Sequence, residues 1–405
     1  MKFVEMCRSA ISDMEVAQQE FDAFILGELK TCDSDIALLK EMSNRTQIAE
    51  WFPTAVSINE NTERDLVEAL LSYLVGVVFG RWDVSTGLAA RGPIARIQPK
   101  PRAMYCPRGQ LQNEQGMPLA RDDVQRMKRE GRWHYPLEVP WDGILVDDAG
   151  FNLPQPHRDD IVRRIRGVFD LLWKERAHEI EQEACEILGV SDLRDVFRRP
   201  AGFFQQHLKQ YSKSQRKAPI YWPLSTSSGS YTIWIYYHRL NGQTLYTAVN
   251  QYIDPKIGDV ERGITRLEEE LESASGRDMA RVTDRLNEAL TFRSELREFR
   301  EELLRVAALP YQPNLNDGVL INAAPFHKLF RLRSWAKDTE ECWNSLAKGQ
   351  YEWAHLAYTI WPDRVREVCR QDRSIAIAHG LQDLHEASEG RTKGGRRRRK
   401  AEVGQ

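Results

Sequence analysis

The chain of 405 residues has no Cys-x-x-Cys pair; its six cysteines, Cys7, Cys32, Cys106, Cys185, Cys342 and Cys369, are scattered. That spacing argues against a zinc site and a disulfide framework, and fits a reducing cytoplasm. Long apolar runs are missing too. The most apolar stretch, Ala69 to Phe79, is flanked by Glu68 and Arg81 and is too short to cross a bilayer, so it reads as a buried helix. With Glu5 near the start and no long apolar segment after it, no export signal is expected, which again points to the cytoplasm and away from a membrane. There is no G-x-x-x-x-G-K-[ST], no G-x-S-x-G and no H-E-x-x-H. The nine histidines are dispersed and read as packed or surface residues. Neither a catalytic residue, a metal ligand nor a cofactor site is therefore expected on this chain.

One absence is local. From Val196 to Leu240 there is no Asp or Glu, while Arg198, Arg199, Lys209, Lys213, Arg216, Lys217 and Arg239 supply seven positive charges in a chain of net charge −2. Aromatic residues are interleaved with them, among them Phe203, Tyr211, Tyr221, Trp222, Tyr231 and Trp234. Cations that release counterions from phosphate, beside flat rings that pack on sugar or base, suit a polyanion such as double-stranded DNA. The same residues also suit a core of buried rings with solvated cations at the ends of a helix and a hairpin. A second cationic segment runs from Val84 to Arg121, where Arg91, Arg96, Lys100, Arg102, Arg108 and Arg121 face only Glu114. A loop of that length is either functional or a solvated linker.

Periodicity divides the chain into six regions and gives an α+β class, mostly helical, with a small antiparallel sheet and a long antiparallel helical hairpin. Residues 1–83 read as helices, the last from Asn61-Thr62 to about Phe79, where Gly76 permits close approach and Gly80 stops the helix. In the first of them, Asp22 with Glu28-Leu29-Lys30 has the residue types of a nuclease centre and equally those of any charged helix surface. Residues 84–158 are irregular and basic, with a short strand or extended plug at Ile144-Leu145-Val146. Residues 159–257 combine helices with an aromatic, basic hairpin: an edge strand near Tyr221, disfavoured from the centre by Pro219 and Pro223, then a strand over Tyr231 to His238 and a turn at Asn241-Gly242. Residues 258–308 repeat apolar positions at three and four, divided at Ser275-Gly276-Arg277, as an antiparallel helical hairpin suited to spacing or assembly. Residues 309–387 are helical, with Trp335, Trp343, Trp353 and Trp361 expected in the core, and residues 388–405 form a basic tail expected to be disordered.

Four stretches in order resemble the part of PglX-type adenine-specific DNA methyltransferases of BREX phage-defence systems that follows the methylase domain; the related DISARM methyltransferases share some of these features. The stretches are Leu71 to Trp82, ending in Gly-Arg-Trp; Lys217-Ala218-Pro219-Ile220-Tyr221-Trp222; Asn316-Asp317-Gly318-Val319; and Ser374 to Leu381. The sequence lacks the glycine-rich loop and the Asn/Asp-Pro-Pro-aromatic segment that methylation itself requires. The resemblance therefore implies target recognition rather than chemistry, with S-adenosylmethionine expected on a partner methylase. Three roles follow: a DNA-recognition module working with a separate methyltransferase or other defence proteins, a scaffold that assembles defence proteins without touching DNA, or a fragment of a longer methyltransferase.

Overall fold

The computed structural model describes residues 62–84, 110–113, 115–149, 156–213 and 216–387. The helices expected over residues 1–42, most of the cationic segment from Val84 to Arg121 and the basic tail lie outside these residues. The described chain is mostly helical, with a three-stranded and a two-stranded antiparallel sheet, as the sequence leads one to expect. It separates into two compact units, one ending at Trp141 and resuming over Ile161–Gln210, the other formed by Asp142–Asp160 and the chain from Tyr211 onward.

The first unit is helical. α1 (Thr62–Val78) places Glu63 and Asp65 in its first turn, where the helix dipole favours acids, and buries Val67, Leu71, Leu74 and Val75. A methyl group on Gly76 would lie 2.0 Å from the Trp82 ring, so the missing side chain is what lets the indole fold back on the helix. Gly80 adopts φ +70° and Arg81 N–H donates to the Gly76 carbonyl at 2.7 Å, closing the C-terminus. Beyond α2 (Arg121–Arg129), α3 (Ile161–Trp173) buries Ile161, Ile165, Val168, Phe169 and Leu172 on one stripe and packs on α1 and on α4 (Ala177–Leu188). α5 (Leu193–Arg198) starts at Asp192, whose carboxylate accepts from Arg194 N–H at 2.7 Å. α6 (Phe203–Gln210) buries Phe203, Phe204, His207 and Leu208 and packs against α1 and α5.

The second unit is built on a sheet of order β1-β5-β4, all antiparallel: β1 (Ile144–Asp147), β4 (Tyr221–Ser225) and β5 (Thr232–Tyr236). β4 with its Pro223 takes an edge, as a residue without an N–H requires, and β5 is central with Trp222 opposite Ile235 and Leu145 opposite Trp234. Every residue of β5 is buried, so neither face of that strand meets solvent. β2 (Ser212–Lys213) and β3 (Arg216–Lys217) form a separate two-stranded ladder. The Asn241-Gly242 turn leads into a helix, α7 (Thr244–Ala248), because the Asn241 and Thr244 side chains satisfy the backbone there: Gln243 N–H donates to Asn241 Oδ1 and Asn241 N–H to Thr244 Oγ1. The helical hairpin is α8 (Asp254–Ser273) and α9 (Arg277–Ala307), with Val260, Ile264 and Leu267 buried on one arm and Val282, Ala289, Leu296 and Phe299 on the other. The rest of the unit is helical: α10 (Val319–Ala323), α11 (Arg333–Ala347), α12 (His355–Ile360), α13 (Pro362–Gln371) and α14 (Arg373–Ala378).

The four tryptophans of this last region are not all core. Trp335 is fully buried, and Trp343 and Trp361 are half-buried with ring centroids 5.7 Å apart. Trp353 is exposed, because it sits on the turn entering α12, where neighbouring Glu352 and Ala354 take the inward positions.

Candidate nucleic-acid contact sites

The acid-free stretch passes from one unit to the other between Gln210 and Tyr211, so its candidates form two sets. In the first unit, Arg199 and Lys209 are exposed and Arg198 is half-buried. Arg199 lies on the turn between α5 and α6, where its carbonyl accepts from Gly202 N–H at 2.9 Å and a methyl on Gly202 would sit 2.0 Å from the Val196 carbonyl oxygen. Its guanidinium is 3.8 Å from Asp195, and Lys209 has no carboxylate partner among the described residues.

Arg199 and Lys209 border a cleft of about 200 Å³. Arg64 and Glu68 of α1 form another side, paired at 3.0 Å, and Leu71, Leu188 and Phe203 contribute apolar surface. Gln205 and Gln206 add amides. Sequence reasoning missed Arg64, Gln205 and Gln206, because only the packing of α1 on α6 brings position 64 beside position 209. A larger cleft of about 660 Å³ lies along α3 and α4, where Asp170, Glu181, Glu186 and Asp192 outnumber its cation Arg166. Arg166 is already committed at 2.8 Å to both Glu181 and Asp192, and the hydrogen bond to Glu181 raises its pKa. Burial pushes the Cys185 thiol in that cleft up to about 11, which keeps it protonated and unreactive at neutral pH. An acid-lined cleft repels a polyanion; the α1–α6 cleft does not.

In the second unit the candidates fare differently. Lys213 and Arg216 are exposed, opposite each other on the β2–β3 ladder. Lys217 is bound to the Asp338 carboxylate. Tyr221 and Trp222 are core: Trp222 packs against Tyr237, Phe326 and Phe330 with centroids 5.3 to 6.5 Å away, and its indole N–H donates to the Pro219 carbonyl at 2.8 Å. Neither ring is open to a base, for the physical reason that both faces of this sheet are covered. Arg239 is half-buried against Gly143, and burial lowers its pKa. At the β4–β5 turn the Ser230 hydroxyl donates to Glu295 of α9 at 3.0 Å. Arg91, Arg96, Lys100 and Arg102 lie outside the described residues.

The two late family-like stretches, around Asp317 and His379, converge in space. Asp317, buried, accepts from His355 N–H at 2.9 Å and Leu356 N–H at 2.8 Å, capping α12 from 38 residues away, and its Oδ1 is 2.9 Å from His355 Nδ1. His379 Nε2 is 2.6 Å from the Glu352 carbonyl oxygen, and its ring lies 5.6 Å from that of His355. Around this junction Leu315, Trp353 and Ile377 are exposed. Among the described residues no group of three or more His, Cys, Asp or Glu is arranged to hold a metal ion, and no helix is long and apolar enough to cross a membrane.

The chain is 28% identical over 202 residues to the adenine-specific methyltransferase BrxX of Escherichia coli O9:H4 (strain HS), a match covering 46% of this chain and 16% of BrxX. It is homologous to part of these methyltransferases. The second relative, the adenine-specific methyltransferase PglX of Lacticaseibacillus casei (strain Zhang), is 25% identical over 267 residues, 65% of this chain and 19% of PglX. The chain thus matches less than a fifth of the length of BrxX or PglX. No protein-family model matches it.

Proposed function

We propose that this chain is a DNA-recognition module that works beside a separately encoded adenine-specific DNA methyltransferase in a BREX-type phage-defence or restriction system. The observation that carries the reading is the homology to BrxX and PglX over a minor part of their length, in a chain whose sequence has no methylase motif. Methyl transfer, with its S-adenosylmethionine, belongs in this reading to the partner. The exposed cations Arg199, Lys209, Lys213 and Arg216 support contact with phosphates, which position a protein on duplex DNA without reading sequence. Binding of the full chain to duplex DNA across a salt series tests the reading: affinity falling linearly with the logarithm of salt is expected, and no binding even at low salt would sink it.

A second reading, a scaffold that assembles defence proteins, is favoured by one observation: the exposed Leu315, Trp353 and Ile377 each stand two residues in sequence from Asp317, His355 or His379, where two of the family-like stretches meet. Reversing charge at Lys209, Lys213 and Arg216 separates the two. A variant that no longer retains DNA but keeps its protein complex supports recognition, and the opposite pattern supports the scaffold.

A further inference from the structure

The geometry points to the α1–α6 cleft as a binding site for a backbone phosphate of nucleic acid, an inference that rests on the DNA-recognition reading. Three cations reach it from three separate elements: Arg64 from α1, Arg199 from the α5–α6 turn and Lys209 from α6. Glu68 is the cleft's lining carboxylate and is engaged by Arg64 at 3.0 Å through Nε, which leaves the rest of that guanidinium to a ligand. The lining carries a net charge of +2, and counting Asp195, 3.8 Å from Arg199 and outside the lining, still leaves an excess of +1, in a chain with 57 basic and 59 acidic residues overall, so the excess is a local property.

Size narrows the ligand. Sites that enclose whole small molecules measure about 300–1,000 Å³. A cleft of about 200 Å³ is smaller and takes a phosphate with part of its sugar, leaving the base outside. Arginine supplies paired donors in the fork geometry that phosphate oxygens accept, and Lys209 adds a point charge. The amides of Gln205 and Gln206 can donate to the ester or sugar oxygens, and Leu71 and Phe203 offer apolar surface to the sugar. Gly202 permits the tight turn that carries Arg199, because the backbone there comes too close for a side chain.

The full chain is titrated with a short DNA duplex across a salt series, beside a variant carrying Arg64→Gln, Arg199→Gln and Lys209→Gln and a control carrying Arg266→Gln and Arg281→Gln on the helical hairpin. For every phosphate that the protein no longer neutralises, the slope of log affinity against log salt should shrink by about 0.9, in the cleft variant and not in the control. A cleft variant with the parent's slope and affinity overturns this inference while leaving the DNA-recognition reading in place. A parent that does not bind DNA overturns both. If the cleft variant instead keeps DNA and stops binding an acidic peptide such as polyglutamate, the site serves a protein partner and the inference is wrong. Lys209→Glu alone, at an exposed position, provides the same comparison should the triple variant fold poorly.

Discussion

Two halves of one stretch, Val196–Gln210 and Tyr211–Leu240, share their composition and differ in how they are used. In the first, Arg199 and Lys209 open onto a cleft; in the second, the rings of Tyr221, Trp222, Trp234 and Tyr236 are buried and Lys217 is bound to an acid 121 residues away. A local absence of carboxylates therefore says nothing of partners brought in by the fold. Aromatic richness is equally ambiguous, because a strand covered on both faces needs large rings just as a stacking surface does.

The largest expected effect tests the buried half. Trp222→Ala removes a fully buried indole and should cost about 3–5 kcal/mol, read as a lower urea midpoint at an unchanged slope. A cost below about 1 kcal/mol would mean that the ring is not core and would reopen it as a DNA-stacking candidate.

The next concerns α6, which carries Lys209 outward and His207 inward. Burial, with the Arg81 charge adding to it, depresses the His207 pKa to about 3. The folded imidazole thus stays neutral while the unfolded one takes up a proton below about pH 6.5, so its contribution is complete above that value and is lost as pH falls from about 6.5 towards 3. Between neutral pH and pH 5 the loss is about 2 kcal/mol. His207→Gln should flatten this acid slope in denaturation measured at pH 7, 6 and 5; an unchanged slope would assign it to other groups.

A smaller effect separates the two halves by function. Lys209→Ala should remove about 0.9 from the salt slope of DNA binding with no change in stability. Lys217→Ala should leave the slope alone and cost at most about 1 kcal/mol, because its pair with Asp338 is partly exposed. Equal slopes for the two variants would erase the distinction.

Much of the fold is legible in the sequence because its signals are local. The stop at Gly80, the edge placement of the Pro223 strand and the division of the hairpin at Ser275-Gly276-Arg277 each follow from backbone chemistry within a few residues. The third strand, Ile144–Asp147, is visible as an apolar run, but its pairing with β5 spans some 90 residues and leaves no periodic trace. The cleft is half legible. Arg199 and Lys209 stand out by composition, whereas Arg64 looks like an ordinary helix-surface residue until α1 packs on α6. Trp353 reads as core from sequence and is exposed in the fold, because a helical period does not reveal which residue of a turn faces out.

The smallest effect sharpens the contrast from the helical hairpin, where acids outnumber cations and several of them pair across the seam. Arg297 reaches Glu261 at 2.7 Å, Arg285 reaches Glu270 at 3.3 Å and Arg300 reaches Asp254 at 2.6 Å, all at partly exposed positions. Ordering two long side chains in water offsets most of the attraction, so Arg297→Ala should cost under about 1 kcal/mol, and a double-mutant cycle with Glu261→Ala should return about 0.2–1 kcal/mol of coupling. The pairs align the arms, while Val260, Ile264, Leu296 and Phe299 hold them together. Arg297 is not among the residues lining the α1–α6 cleft, so Arg297→Ala should also leave DNA affinity and its salt slope unchanged; a reduced slope would show that cations of the hairpin touch DNA as well.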